Sequence, residues 1–241
     1  MIRTIAVMIY VVLALVLILP WLILWSIITG DADFMYRVFN MGGLRVALWL
    51  SGIHVRVEGA ENIPAGVCIF ASNHASNIDP VALVPNIPRR VALLAKKEVF
   101  KIPILSKAIR LAKLVPVDRA DKEAAAESVD AAIDLLREGL SFCVYPEGTR
   151  SRDGRLLPFK RGTFVMAIRA GVPVVPVSLA GTQRLLRKGD WTIHPGAVTV
   201  RFGPAVDAAR YCLEQRDALR QRVQDLVAAG LPEDQKPLAG N

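Results

Sequence analysis

Cysteine is scarce: three residues in 241, Cys68, Cys143 and Cys212, stand far apart in the chain. There is no CxxC pair and no Cys/His cluster, so zinc-site spacing is missing. Three isolated thiols of buried type give no disulfide framework and suit a reducing compartment. GxxxxGK[ST], GxGxxG and GxSxG are also missing, which leaves NTPase, dinucleotide-binding and nucleophile-elbow readings without support. No internal repeat or low-complexity tract occurs. The most informative absence is of charge: none stands between Ile5 and Ile28.

About 20 apolar residues cross a bilayer as a helix, and this run is long enough. A signal peptide has a shorter core, about 7–15 residues, and ends in small residues. Here the run ends in Ile27-Ile28-Thr29-Gly30-Asp31, which favours a retained anchor. Tyr10, Trp21 and Trp25 are suited to the membrane interface, and Pro20 is placed to kink the helix. Phe34 to Leu50 is again rich in apolar residues but carries Arg37 and Arg45, and reads as an interfacial helix folding back after the Gly30-Asp31 turn. A monotopic hairpin and a single true span are both compatible with this pattern.

Lys and Arg outnumber Asp and Glu by 30 to 22, for a formal charge of +8. A basic surface suits nucleic acid, an anionic bilayer or an anionic substrate. Beside such an apolar segment, the bilayer is the better partner and nucleic acid is not expected.

After residue 50 the text alternates between strand and helix patterns. Strands are expected at Ile53–Val57, Val67–Ala71, Val91–Ala95, Leu114–Val117, Leu140–Tyr145, Val172–Leu179 and Ala197–Phe202. Several are continuous apolar runs, the mark of strands buried on both faces. Between them, helices are expected from Asp79-Pro80 (Asp as N-cap, Pro at N1), ending over Ala108–Lys113, over Asp121–Glu138, over Gly162–Arg169 and over Asp207–Ala229. The fold class that follows is α/β, with a mixed, largely parallel sheet flanked by helices and an N-terminal hydrophobic helical membrane anchor. Residues 1–50 form the anchor, 51–230 the α/β domain and 231–241 a polar, flexible tail.

Two constellations follow buried strands, where α/β sheets place their sites. The first is Asn73-His74-Ala75-Ser76-Asn77-Ile78-Asp79. Histidine transfers protons near neutrality. A carboxylate five residues on shares no helical face with it, since five steps of ~100° carry it well round. It reaches the imidazole if His74 lies in the loop and Asp79 begins the helix. The plain alternative is a loop histidine and a simple helix cap. The second is Tyr145-Pro146-Glu147-Gly148-Thr149-Arg150-Ser151. Gly148 permits a tight turn and Arg150 offers a planar fork for phosphate oxygens. Phe159-Lys160-Arg161-Gly162 adds positive charge before a helix N-terminus. A solvated basic loop is the alternative here. Arg119, after the Val115-Pro116-Val117-Asp118 strand end, and Lys96, at the end of another strand, are further candidate anion contacts; His54 and His194 are poor candidates.

Taken in order, HxxxxD, a strand ending in Asp-Arg, PEGTR and a Val-Pro-Val strand resemble the glycerolipid acyltransferase family, over roughly Gly59 to Leu179. The pattern is most similar to the bacterial 1-acylglycerol-3-phosphate acyltransferases. Tyr145 departs slightly, where the family often has Phe. The resemblance implies that His74 and Asp79 are the catalytic pair. It implies that Glu147, Gly148, Thr149 and Arg150 bind the acceptor, with Arg119 and Lys96 at phosphate-contact positions. The implied reaction moves a fatty acyl group from acyl-CoA or acyl-carrier protein to the sn-2 hydroxyl of 1-acylglycerol 3-phosphate (lysophosphatidic acid), making phosphatidic acid. No metal or bound cofactor is expected, and the implied location is the cytoplasmic face of the inner membrane. The same chemistry on another lysolipid or on glycerol 3-phosphate, and a non-catalytic lipid-binding protein, are the alternatives.

Overall fold

The computed structural model describes residues 1–117 and 122–238. Among these, seven strands form one sheet: β1 (Ile53–Glu58), β2 (Ile69–Ser72), β3 (Val91–Lys96), β4 (Val115–Val117), β5 (Ser141–Val144), β6 (Val174–Ala180) and β7 (Gly196–Phe202). Their spatial order is β1-β7-β6-β2-β5-β3-β4. Only β6 and β7 pair antiparallel; the other neighbours pair parallel. Eight α-helices accompany them: α1 (Ile2–Thr29), α2 (residues 32–51), α3 (Ile78–Leu83), α4 (Pro103–Leu111), α5 (Lys122–Arg137), α6 (Gly162–Ala170), the one-turn α7 (Thr182–Leu185) and α8 (Arg216–Ala229).

The central strands β2 and β5 are buried along their whole length, as continuous apolar runs require. Their side chains alternate between two cores. Ile69, Ala71, Phe142 and Val144 face Ile133 and Leu136 of α5, Phe164 of α6 and Val223 of α8. Phe70 and Cys143 face Leu83 of α3, Tyr36 and Leu48 of α2, and Phe202 of β7. Burying each large apolar side chain contributes roughly 1.5–3 kcal/mol. The edge strand β1 has one wet face, and its pattern accordingly alternates.

α1 and α2 form a hairpin. Gly30, at φ +72°, ends α1, and the Asp31 carboxylate accepts from Phe34 N–H to start α2. Pro20 does not break α1. It has no N–H to offer residue 16, and the chain takes up the missing bond in π-helical turns over Ala14–Ile18. The two arms meet through Tyr10 Oη–H to Gly43 O at 3.0 Å and through Trp25 against Phe34. The hairpin is fastened to the domain as well. Leu19, Leu22 and Ile23 of α1 pack with Met35 on Ala108 and Ala112. Val91 N–H donates to Tyr36 Oη, Arg45 donates to Pro85 O, and Ile193 N–H donates to Thr4 Oγ1.

The structure corrects four expectations. Asp79 is not an N-cap: Asn77 holds that position, and Asp79 lies inside the first turn of α3. The stretch 207–229 is not one helix. Asp207 accepts from Ala209 N–H and Gln215 from Cys212 N–H, giving two short 3-10 turns before α8. The tail is docked rather than loose as far as Lys236. Gln235 is buried, its amide oxygen accepting from Gly181 N–H and its carbonyl from Leu156 N–H. Cys212 is exposed, while Cys68 and Cys143 are buried.

Candidate active site

β2 and β5 are parallel neighbours, so the loops leaving their carboxyl ends lie side by side. One carries His74 and the other Glu147 to Arg150. Asn73 locks the start of the first loop: its side chain donates to Leu179 O at 2.9 Å and accepts from Leu179 N–H at 2.7 Å. The loop then turns back so that His74 Nδ1 lies 2.7 Å from Asp79 Oδ2. The same oxygen accepts from Ala75 N–H and Ser76 N–H, both at 2.8 Å. Asp79 is five positions on from His74, yet the pair forms, because only Asp79 is helical.

A carboxylate can only accept, so Nδ1 of the neutral ring carries the hydrogen. Nε2 is left with its lone pair, and it has no partner among the described residues. The ring is partly exposed while Asp79 is fully buried, so the base is reachable and its support is not. Tyr145 stacks on the imidazole at 4.2 Å between centroids and 21° between planes, fixing the ring's other degree of freedom.

The second loop is tied to the first. Glu147 is only 3% exposed. Its Oε1 accepts from His74 N–H at 2.7 Å and its Oε2 from Leu157 N–H at 3.3 Å. Burial pushes its carboxyl up to about 8 despite those two donors. The resemblance implied acceptor contact for Glu147. Both oxygens instead point inward, onto backbone that would otherwise be unpaired, so its carboxyl group holds the two loops together. Gly148 has φ +71°, and a Cβ there would strike the Lys160 side chain. Glycine is therefore favoured by the left-handed conformation, while the flexible end of Lys160 could move aside. Arg150 is only half-buried, and its guanidinium has no partner among the described residues. It borders an open cleft of about 330 Å³ with Asn77 and the 186–193 loop.

Lys96 also stands at a carboxyl end, two strands from β2, roughly 9–10 Å across the sheet. It is 71% exposed, ion-paired with Glu98 and outside that cleft. Arg119 lies outside the described residues. His54 is exposed on β1, and His194 sits in a loop, its N–H donating to Leu185 O, and is not a partner of His74. No motif or strand end marks Lys188, whose ammonium donates to Arg150 O at 2.7 Å and Thr149 Oγ1 at 3.3 Å. Ser76, whose hydroxyl donates to Leu186 O, was likewise unmarked except by lying inside the first motif.

The two buried thiols are not rival nucleophiles. Burial pushes Cys143 up to about 12 and Cys68 up to about 11, so neither forms thiolate near neutrality.

The Acyltransferase family model matches residues 54–180. A 1-acyl-sn-glycerol-3-phosphate acyltransferase of Limnanthes douglasii is 35% identical over 232 residues, covering 94% of this chain and 78% of its own. One from Borreliella burgdorferi is 29% identical, covering 78% and 76%. The chain belongs to the acyltransferase family. Within it, the chain stands with the 1-acyl-sn-glycerol-3-phosphate acyltransferases. The solved 1-acyl-sn-glycerophosphate (LPA) acyltransferase PlsC of Thermotoga maritima is similar through 95% of this chain and 92% of its own, with TM-score 0.80 and 32% identity. The expected mixed sheet flanked by helices is thus the fold of the acyltransferase, and its long apolar N-terminal helix is a candidate anchor.

Proposed function

We propose that this acyltransferase moves a fatty acyl group from the thioester of acyl-CoA or acyl-carrier protein to the sn-2 hydroxyl of 1-acylglycerol 3-phosphate, making phosphatidic acid. The observation that carries the mechanism is the 2.7 Å contact between His74 Nδ1 and buried Asp79. It leaves Nε2 as an unpartnered base on a partly exposed ring. The acceptor hydroxyl gives its proton to Nε2, and its oxygen attacks the thioester carbonyl. Asp79 stabilises the resulting imidazolium. The tetrahedral intermediate collapses, the C–S bond breaks, and the departing sulfur takes the proton back from Nε2. One ester forms and one thioester is consumed, with no net proton change. The acyl group arrives activated, so this chemistry calls for no metal or bound cofactor.

Arg150 supplies the charge for the acceptor phosphate, since its guanidinium is unpaired and beside the cleft. Fixing the phosphate fixes the hydroxyl relative to Nε2. Arg119 and Lys96 are assigned to the same phosphate region from the family pattern. The protein works at the cytoplasmic face of the inner membrane, held by α1 and α2 as a monotopic hairpin. Its attachment at both Thr4 and Leu19–Ile23 supports that reading, because a helix fastened along the domain does not leave it to cross a bilayer.

The test is a product analysis. Purified protein receives labelled acyl-CoA or acyl-carrier protein and a panel of lysophosphatidic acid, other lysophospholipids and glycerol 3-phosphate. Labelled phosphatidic acid as the dominant product is expected. Preference for a phosphate-free or larger-headgroup acceptor refutes the acceptor assignment; acyl release without any acceptor refutes transfer.

A further inference from the structure

The loop over residues 186–193 touches three parts of the molecule that the function needs together. Leu186 O accepts from Ser76 Oγ–H, inside the His74–Asp79 turn. Lys188 Nζ holds Arg150 O and Thr149 Oγ1. Ile193 N–H donates to Thr4 Oγ1, on the first turn of the apolar helix. At its tip Trp191 is 80% exposed, with its indole in the open. The tip's shape is set by Asp190, whose Oδ1 accepts from Trp191 N–H at 2.7 Å and Thr192 N–H at 2.9 Å. That engagement turns the one acidic group at the cleft toward the loop's own backbone.

Between this loop and α1 lies the cleft of about 330 Å³. Arg150, Asn77, Thr4 and Met8 of α1, and the exposed Trp191 are among the residues that line it. Met8 and the neighbouring Ile5, Ile9 and Val12 are exposed, so the α1 wall continues as apolar surface beyond the cleft. The cleft thus has both an unpaired guanidinium and a stretch of the apolar helix in its lining. An amphiphile with an anionic head and an acyl chain matches that polarity.

We propose that this cleft is the port by which the anionic lysophospholipid acceptor passes from the bilayer to His74. Its phosphate sits at Arg150, its chain leaves along Met8, and Trp191 lies at the lipid interface as the outer jamb. Indole suits that position, being apolar in body with one polar N–H. Lys188 is a positioning residue: it fixes the carbonyl of Arg150 and so the base of the guanidinium's reach. The inference rests on the proposed acceptor class and adds the route and the residues that serve it.

Two measurements test it. In the first, wild type and Trp191→Phe are bound to vesicles of phosphatidylcholine and phosphatidylglycerol, with and without brominated acyl chains. The difference between their emission spectra isolates Trp191 from Trp21, Trp25 and Trp49. A blue-shifted difference spectrum quenched by shallow bromines is expected. A difference spectrum that stays water-like and unquenched overturns the port, whatever the enzyme's acceptor proves to be. In the second, Trp191→Ala is compared with Trp49→Ala, whose indole is similarly exposed (76%) but outside the cleft. Trp191→Ala should raise KM for bilayer-embedded lysophosphatidic acid about tenfold, the loss typical of one large aromatic anchor. The rise should exceed that for a short-chain soluble acceptor, and the KM for acyl donor should not follow it. Equal shifts in the two tryptophan variants, or equal shifts on the two acceptors, overturn the proposal.

Discussion

At the scale of single residues, the site depends on a few hydrogen bonds. His74→Ala removes the base assigned to the reaction, and turnover should fall about 10²–10⁴-fold with folding intact. Asp79→Asn should be nearly as severe, because an amide stabilises imidazolium poorly. It should also cost stability, since Oδ2 accepts from two backbone N–H groups in a fully buried position. An amide NH2 turned toward those donors leaves them unpaired, at about 1–3 kcal/mol. A thermal melt beside the rate separates the two effects. Arg150→Ala should raise the acceptor's KM far more than the donor's, and Arg150→Lys should restore it in part, because the planar fork is lost. Equal effects on both substrates would falsify the assignment to the acceptor.

Glu147 links residue chemistry to pH. Burial raises its carboxyl from the ordinary value near 4.5 to about 8. Between those values the folded protein keeps a proton that the unfolded chain has released. Its contribution is therefore fully present below pH 4.5 and is lost as pH rises toward 8, by up to about 1.4 kcal/mol per pH unit. Glu147→Gln has no such titration. Urea melts from pH 5 to 9 should show a downward slope in wild type that is flatter in the variant. Matching slopes would remove Glu147 as the source.

At the scale of elements, strands were the most legible features. β2, β5 and β6 are buried on both faces, so composition alone marks them, and β1 announces its wet face by alternation. The His74 and Arg150 motifs were legible because each follows such a strand. What escaped was set by contacts distant in sequence. Gln235 is a polar residue in a polar tail, and its partners across space, the Gly181 and Leu156 N–H groups and Leu179 O, make it buried. Glu147 sits between Pro146 and Gly148 like a surface turn residue, and nothing local says its carboxylate faces inward. The 207–229 stretch has enough helix formers for one helix, but side-chain bonds at Asp207 and Gln215 compete with the first turns. Lys188 acts through a pairing 38 residues away. Lys188→Met should therefore raise acceptor KM by loosening the Thr149–Arg150 turn, with Lys188→Arg milder; a fall in kcat alone would argue against that role.

At the scale of the whole molecule, the question is whether the hairpin is an appendage or a part of the core. Composition alone suggests an appendage, since the sheet begins only at Ile53. The packing says otherwise at two places. α2 delivers Tyr36 and Leu48 into the cluster under β2 and β5. α1 buries Leu19 to 1% exposure, and with Leu22 and Ile23 it covers Ala108 and Ala112 beside α4. Deleting residues 1–30 should thus leave the sheet and its two cores intact but uncover this third cluster. Losing three large buried side chains at roughly 1.5–3 kcal/mol each, offset by collapse and by relief of α1's own ordering, should lower thermal stability clearly without abolishing folding. The same deletion removes Thr4, Met8 and the exposed apolar face of α1. Activity on bilayer lysophosphatidic acid should therefore fall much further than activity on a short-chain soluble acceptor, because His74 and Asp79 lie outside the deleted segment. The remaining basic surface, with α2, should give only salt-sensitive binding to anionic vesicles. Three readings decide it together: a melt, the ratio of the two rates, and flotation at low and high salt. A truncated protein that melts like wild type would show that the α1–α4 contact contributes little. One that floats normally in high salt with an unchanged rate ratio would show that α1 is not the anchor.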